Sequence, residues 1–76
     1  MSNVIEVLAR ALVDSPDEVK VREIEGSDST TYEVMVAEDD LGKVIGKDGK
    51  IADALRTIAK AAALKDNKKA FVQIVS

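Results

Sequence analysis

Apolar residues return at Val4, Ile5, Val7, Leu8, Ala11 and Leu12, the one-sided stripe of an amphipathic helix. Asn3, with Glu6 three residues on, has the form of a capping box in which Asn stands where Ser or Thr is usual. Pro16 ends this segment, because it disfavours helical geometry at Ser15. The period then falls to two. Glu18 to Glu25 alternates through Val19 and Val21, and Gly26-Ser27-Asp28-Ser29 is a turn cluster. Thr30 to Ala37 sets Tyr32, Val34 and Val36 on one face against Thr31, Glu33 and Met35 on the other. Two strands joined by a short polar turn predict an antiparallel hairpin.

Helical spacing resumes after Glu38-Asp39-Asp40, which offers carboxylates to the start of the next helix. Leu41 to Gly46 suits a helical turn or two. From Lys50, residues Ile51, Ala54, Leu55, Ile58, Ala59 and Ala62 recur at helical spacing, and the alanines add propensity. That helix ends near Leu64, before Lys65-Asp66-Asn67-Lys68-Lys69. Ala70 to Val75 is rich in strand formers, and Phe71 is expected in the core. The order is α-β-β-α-α-β, an α+β fold with helices on one face of a three-stranded sheet. With no repeat, low-complexity tract or linker, residues 1–76 are expected to form one domain.

Composition narrows the chemistry. The 76 residues hold no Cys and no His, so disulfides, Cys/His zinc sites and His-assisted nucleophiles are excluded. Nothing pairs the plentiful carboxylates across a pocket, and no metal or cofactor motif is present. The expectation is a non-enzyme without cofactors. The N-terminal apolar stretch is broken by Glu6 and Arg10, is too short to cross a bilayer and has no basic leader, so a cytoplasmic location is expected. The net charge of −3 conceals an asymmetry. Residues 1–40 carry three basic side chains against eleven acidic, a net of −8; residues 41–76 carry eight against three, a net of +5. The basic half suggests a polyanion partner.

Its centre is Leu41-Gly42-Lys43-Val44-Ile45-Gly46-Lys47-Asp48-Gly49-Lys50-Ile51, with three glycines and three lysines between two helical segments. Glycines there permit unusual backbone angles or a close approach. A loop opening a helix also presents free N–H groups and the positive dipole end. The result is a plausible phosphate cradle. It is not a P-loop: three residues, not four, separate Gly42 from Gly46, and Asp48 stands where Ser or Thr is required after Lys47. The G-x-G-x-x-G spacing of a dinucleotide site is absent as well.

What remains is Gly-x-x-Gly between short helices. Val44-Ile45-Gly46-Lys47-Asp48-Gly49-Lys50-Ile51 resembles the core motif of KH domains, and its place behind a helix and hairpin resembles the bacterial, type II arrangement. The chain as a whole is similar to the small stand-alone KhpA family of bacteria. The resemblance implies binding of short single-stranded RNA, with the loop clamping about four nucleotides. It also implies self-association or pairing with a larger KH-domain partner. A role as RNA chaperone or post-transcriptional regulator, linked to cell elongation, division and wall growth, belongs to the same implication. The alternative is a dimerisation module with little RNA binding of its own.

On this resemblance Gly46 and Gly49 bring the backbone to the phosphates, and Lys47 supplies a contact from the loop tip. Asp48 opposes phosphate and is expected instead to cap the following helix. Lys43 and Lys50 add field; Arg56 and Lys60, four apart, are equally well read as solvated. Val44, Ile45 and Ile51 are divided between an aliphatic groove and the core in a way the sequence leaves open. Val36 or Met35, from the strand before the motif, is expected to form part of the far wall of that groove. Tyr32 and Phe71 are the only aromatic residues, so a stacking-platform RNA binder is not expected.

Overall fold

A computed structural model describes residues 2–76, with side chains from residue 3 onward. Helix α1 (Ser2–Leu12) is followed by a 3₁₀ turn (Pro16–Glu18) and by strands β1 (Lys20–Glu25) and β2 (Ser29–Met35). A second 3₁₀ turn (Glu38–Asp40) leads into the short helix α2 (Leu41–Ile45). Turn Lys47–Gly49, helix α3 (Lys50–Leu64) and strand β3 (Lys69–Val75) complete the order. The sheet runs β1-β2-β3, with β1 antiparallel and β3 parallel to the central β2. This α+β arrangement is consistent with a type II KH fold.

Strict alternation on β2 decides the inside of the sheet. Thr30, Tyr32 and Val34, continued by Val36, are buried, and the last three meet Ile5 and Ala9 of α1, Val44 of α2, and Leu55 and Ala59 of α3. The capping box does not form: Asn3 lies within α1, which already includes Ser2, and the Glu6 carboxylate turns to Arg10 one helical turn on, at 2.8 Å. Pro16 starts a 3₁₀ turn, so β1 begins at Lys20, two residues later than the alternation implied. Val19 nevertheless enters the core.

Phe71 departs most from expectation. It is 51% exposed. In the parallel ladder Val72 pairs with Tyr32 on the covered face, which leaves Phe71, opposite Thr31, on the face that no helix covers. The turn into β3 is also specific. Asn67 adopts φ +55°, the Lys68 amide donates to the Ala63 carbonyl at 3.0 Å, and the Asn67 amide donates to that of Leu64 at 3.1 Å. This pairing is a Schellman stop with Asn in the left-handed position that glycine usually takes. It aims the chain from α3 straight back along β2.

Candidate nucleic-acid interface

The loop between α2 and α3 is built on three consecutive constraints. Gly46 has φ +78°, ψ 175°, a region open essentially to glycine alone. A Cβ there would lie 2.6 Å from Cγ1 of Ile51, so the site also requires a residue without a side chain. Gly49 sits in the left-handed region (φ +75°, ψ 12°) at the cap of α3, and a Cβ on it would meet nothing within 4 Å. The first glycine thus lets Ile51 close beneath the loop, and the second leaves the outer backbone open to a ligand. Asp48 is also left-handed, at φ +58°. It makes no capping hydrogen bond to α3, whose cap position is held by Gly49, so the expected capping role is not realised.

The lysines divide. Lys47 and Lys50 are exposed, and among the described residues neither makes an ion pair. Lys43 points away from the loop to the Asp14 carboxylate, and its ammonium lies 3.6 Å from Asp40. Its charge is therefore committed within the protein, which removes it from the expected phosphate contacts.

Asp40 explains that commitment. It is only 2% exposed, and its two carboxylate oxygens accept the backbone N–H groups of Asp14 (3.2 Å) and Ser15 (3.1 Å). Burial by itself would raise its pKa, but the two amide hydrogen bonds and the Lys43 ammonium carry it below the ordinary carboxylate value. Lys43 is shifted the other way, upward, first by its hydrogen bond to Asp14. Instead of capping α2, Asp40 straps the α1–β1 connection to the start of the helix-loop-helix. The sequence signal was thin: one of three adjacent carboxylates.

The apolar residues divide as well. Val44 is fully buried in the core and cannot line a groove, a correction that follows from its facing α3 and the sheet. Ile51 is half-buried beneath Gly46. Ile45 is exposed and forms one rim of an open cleft of about 670 Å³, together with Gly49, Ala52 and Arg56. The far wall is β3 over Val72–Val75, not Met35 or Val36. Val36 is buried, and β2 is the central strand, so it has no free edge to offer.

That wall has a polar side. The Lys69 amide donates to the Asp28 carbonyl and the Val36 amide donates to the Val75 carbonyl, which turns the odd-numbered residues of β3 toward β2. In a parallel ladder the alternate residues, Ala70, Val72 and Ile74, direct their main-chain N–H and C=O groups to the open edge. The cleft therefore joins an accessible glycine backbone, an aliphatic floor and a row of main-chain donors and acceptors on the open edge, while Lys47 and Lys50 lie in the adjoining turn and helix start, outside its lining. Arg56, left undecided by the sequence, lines this cleft. The spacing from Gly49 through Ala52 to Arg56, three and then four residues, was the signal for it.

The profile of the KhpA/KhpB KH domain matches residues 2–74. The chain belongs to this family. A relative in Clostridium acetobutylicum, named RNA-binding protein KhpA, is 52% identical over 75 residues, covering 99% of this chain and all of its own. One of the same name in Caldanaerobacter subterraneus is also 52% identical with the same coverage. That of Chlamydia trachomatis is 37% identical over 99% of this chain and 96% of its own. No solved structure matches significantly. For this KH domain, no helix among the described residues is long and apolar enough to cross a membrane.

Proposed function

We propose that this chain binds short single-stranded RNA, clamping the sugar-phosphate backbone at Gly46-Lys47-Asp48-Gly49 and receiving bases in the cleft between α3 and β3. The observation that carries this function is the geometry of the two glycines, with Gly46 closed onto Ile51 and Gly49 open outward. Lys47 and Lys50 supply the charge for phosphate contacts, Ile45 the apolar surface against base faces with Ile51 backing the loop beneath Gly46, and the outward main-chain groups of Val72 and Ile74 the hydrogen-bonding edge. The relatives named RNA-binding proteins support the same assignment. The family resemblance adds an RNA-chaperone or regulatory role tied to cell elongation and division, exercised in the cytoplasm.

The test is Lys47→Asp, which turns the loop tip acidic. Circular dichroism should report an unchanged fold, and fluorescence polarisation should report a marked loss of affinity for a labelled single strand. Unchanged affinity with an intact fold refutes the cradle.

Pairing with a second copy or with a larger KH-domain protein is favoured by a separate observation. Val4 and Val7 of α1 are 47% and 67% exposed, on a helix whose opposite side already fills the core. A lone cleft of this size binds weakly, and pairing would raise avidity without new contacts. Sedimentation across a concentration series distinguishes this, since a mass that stays monomeric would rule out self-association.

A further inference from the structure

The cleft at the loop does not end at Arg56. From the cap residue Gly49, one stripe of α3, Ala52, Arg56, Lys60 and Leu64, faces the free edge of β3 along the whole helix, about 22 Å at 1.5 Å per residue. Three openings follow one another along it and share residues. Arg56, Val72 and Gln73 belong to the first and second, and Lys60, Ala70 and Phe71 to the second and third. The third is a mostly apolar depression of about 340 Å³ floored by Leu64 and Phe71, which are 72% and 51% exposed. Its rim holds Lys60, Lys68 and Lys69 and no carboxylate. Lys68 lies 4.0 Å from Glu25; among the described residues Lys60 and Lys69 make no ion pair.

An exposed phenyl ring ringed by cations, at the far end of a groove that begins at the loop, has the chemistry of a base-stacking site. Aromatic faces accept any base, and the lysines answer its phosphates. We infer that Phe71 is a stacking platform for a nucleotide beyond those held at the Gly-x-x-Gly loop, with Lys60 and Lys69 contacting the adjoining phosphates. The occupant is the continuing RNA strand because the groove is continuous and the charged residues that line it are all cations, with Asp53, which pairs with Arg56 at 2.9 Å, outside the lining. This inference rests on the loop holding RNA, so the experiment separates the two.

Wild type, Phe71→Leu, Phe71→Trp and Lys47→Asp are titrated with a single strand of about four nucleotides, the length the loop clamps, and with one of about ten. Leu keeps an apolar surface, so the fold should persist, as circular dichroism will check. Wild type should bind the longer strand more tightly. Phe71→Leu should weaken the longer strand at least about fivefold and leave the shorter unchanged. The chain has no native Trp, so in Phe71→Trp the indole reports alone, and its emission should be quenched by the longer strand only.

Equal affinity of Phe71→Leu and wild type for the longer strand, with Lys47→Asp still impaired, overturns the platform and leaves the loop function standing. Unquenched emission at saturation overturns it too. A Phe71→Leu loss that is equal at both lengths, with a fall in sedimenting mass, makes the patch a contact between copies. Failure of wild type to bind either length removes both proposals.

Discussion

Gly46 and Gly49 look alike in sequence and should behave very differently when replaced. At Gly46 alanine meets two penalties. Holding a non-glycine residue at φ +78°, ψ 175° costs about 1–3 kcal/mol. Forcing a methyl group to 2.6–2.9 Å from three atoms of Ile51 adds about 1–3 kcal/mol of overpacking. The sum, about 2–6 kcal/mol, is a large share of the total expected for a chain of this length at ~0.05–0.15 kcal/mol per residue. At Gly49 only the left-handed backbone matters, so alanine should cost about 1–2 kcal/mol. Urea unfolding followed by circular dichroism measures both. The Ile51→Ala background isolates the contact, because it removes two of the three clashing atoms. There Gly46→Ala should cost less than in wild type, with a coupling of about 1 kcal/mol or more. Additivity of Gly46→Ala and Ile51→Ala, or equal costs at Gly46 and Gly49, refutes the packing argument.

Four other outcomes are expected. Asp40 has a folded pKa lowered from 3.8, so its stabilising contribution is present above that value and is lost as pH falls below it toward the folded value. Urea midpoints of Asp40→Asn should therefore be lower than those of wild type at neutral pH and fall less steeply as the pH drops below 3.8. Lys43→Ala should leave RNA affinity nearly intact whereas Lys47→Ala and Lys50→Ala weaken it. The wild-type log-log salt slope should be about −1.4 if two phosphates are neutralised, and steeper on a longer strand reaching Lys60 and Lys69. Asn67→Ala should cost about 1 kcal/mol and Asn67→Gly should not, as thermal unfolding would show, because only the left-handed backbone is at stake.

Element order and the inner face of the sheet were legible because they follow from local periods. Tyr32, Val34 and Val36 alternate cleanly, and helix α3 announces itself through its alanines. The loop was legible because its spacing is uncommon. Phe71 was misjudged because its hydrophobicity says nothing about register, and only pairing with β2 sets which parity faces inward. Lys43 and Asp40 were misjudged for a related reason. Their partners, Asp14 and Ser15, lie more than 20 residues away, and no local pattern reveals a strap of that span. Arg56 and Lys60 could be placed along the cleft only once β3 was known to be the outer strand beside α3, although the spacing from Gly49 to Arg56 already set one helix face.

The two edges of the sheet are defended unequally. On β1, Lys20, Arg22, Glu23 and Glu25 make four of six residues charged, and such an edge resists pairing with another strand. On β3 only Lys69 of seven is charged, and Ala-Phe-Val-Gln-Ile-Val is the kind of segment that invites edge-to-edge addition. The proposed function requires that edge to stay bare. The cations of α3 then have a second duty: between protein molecules they repel, and against RNA they attract. With RNA in the cleft as proposed, the nucleic acid shields that strand, and the chain should be most prone to aggregate when salt is high and RNA is scarce.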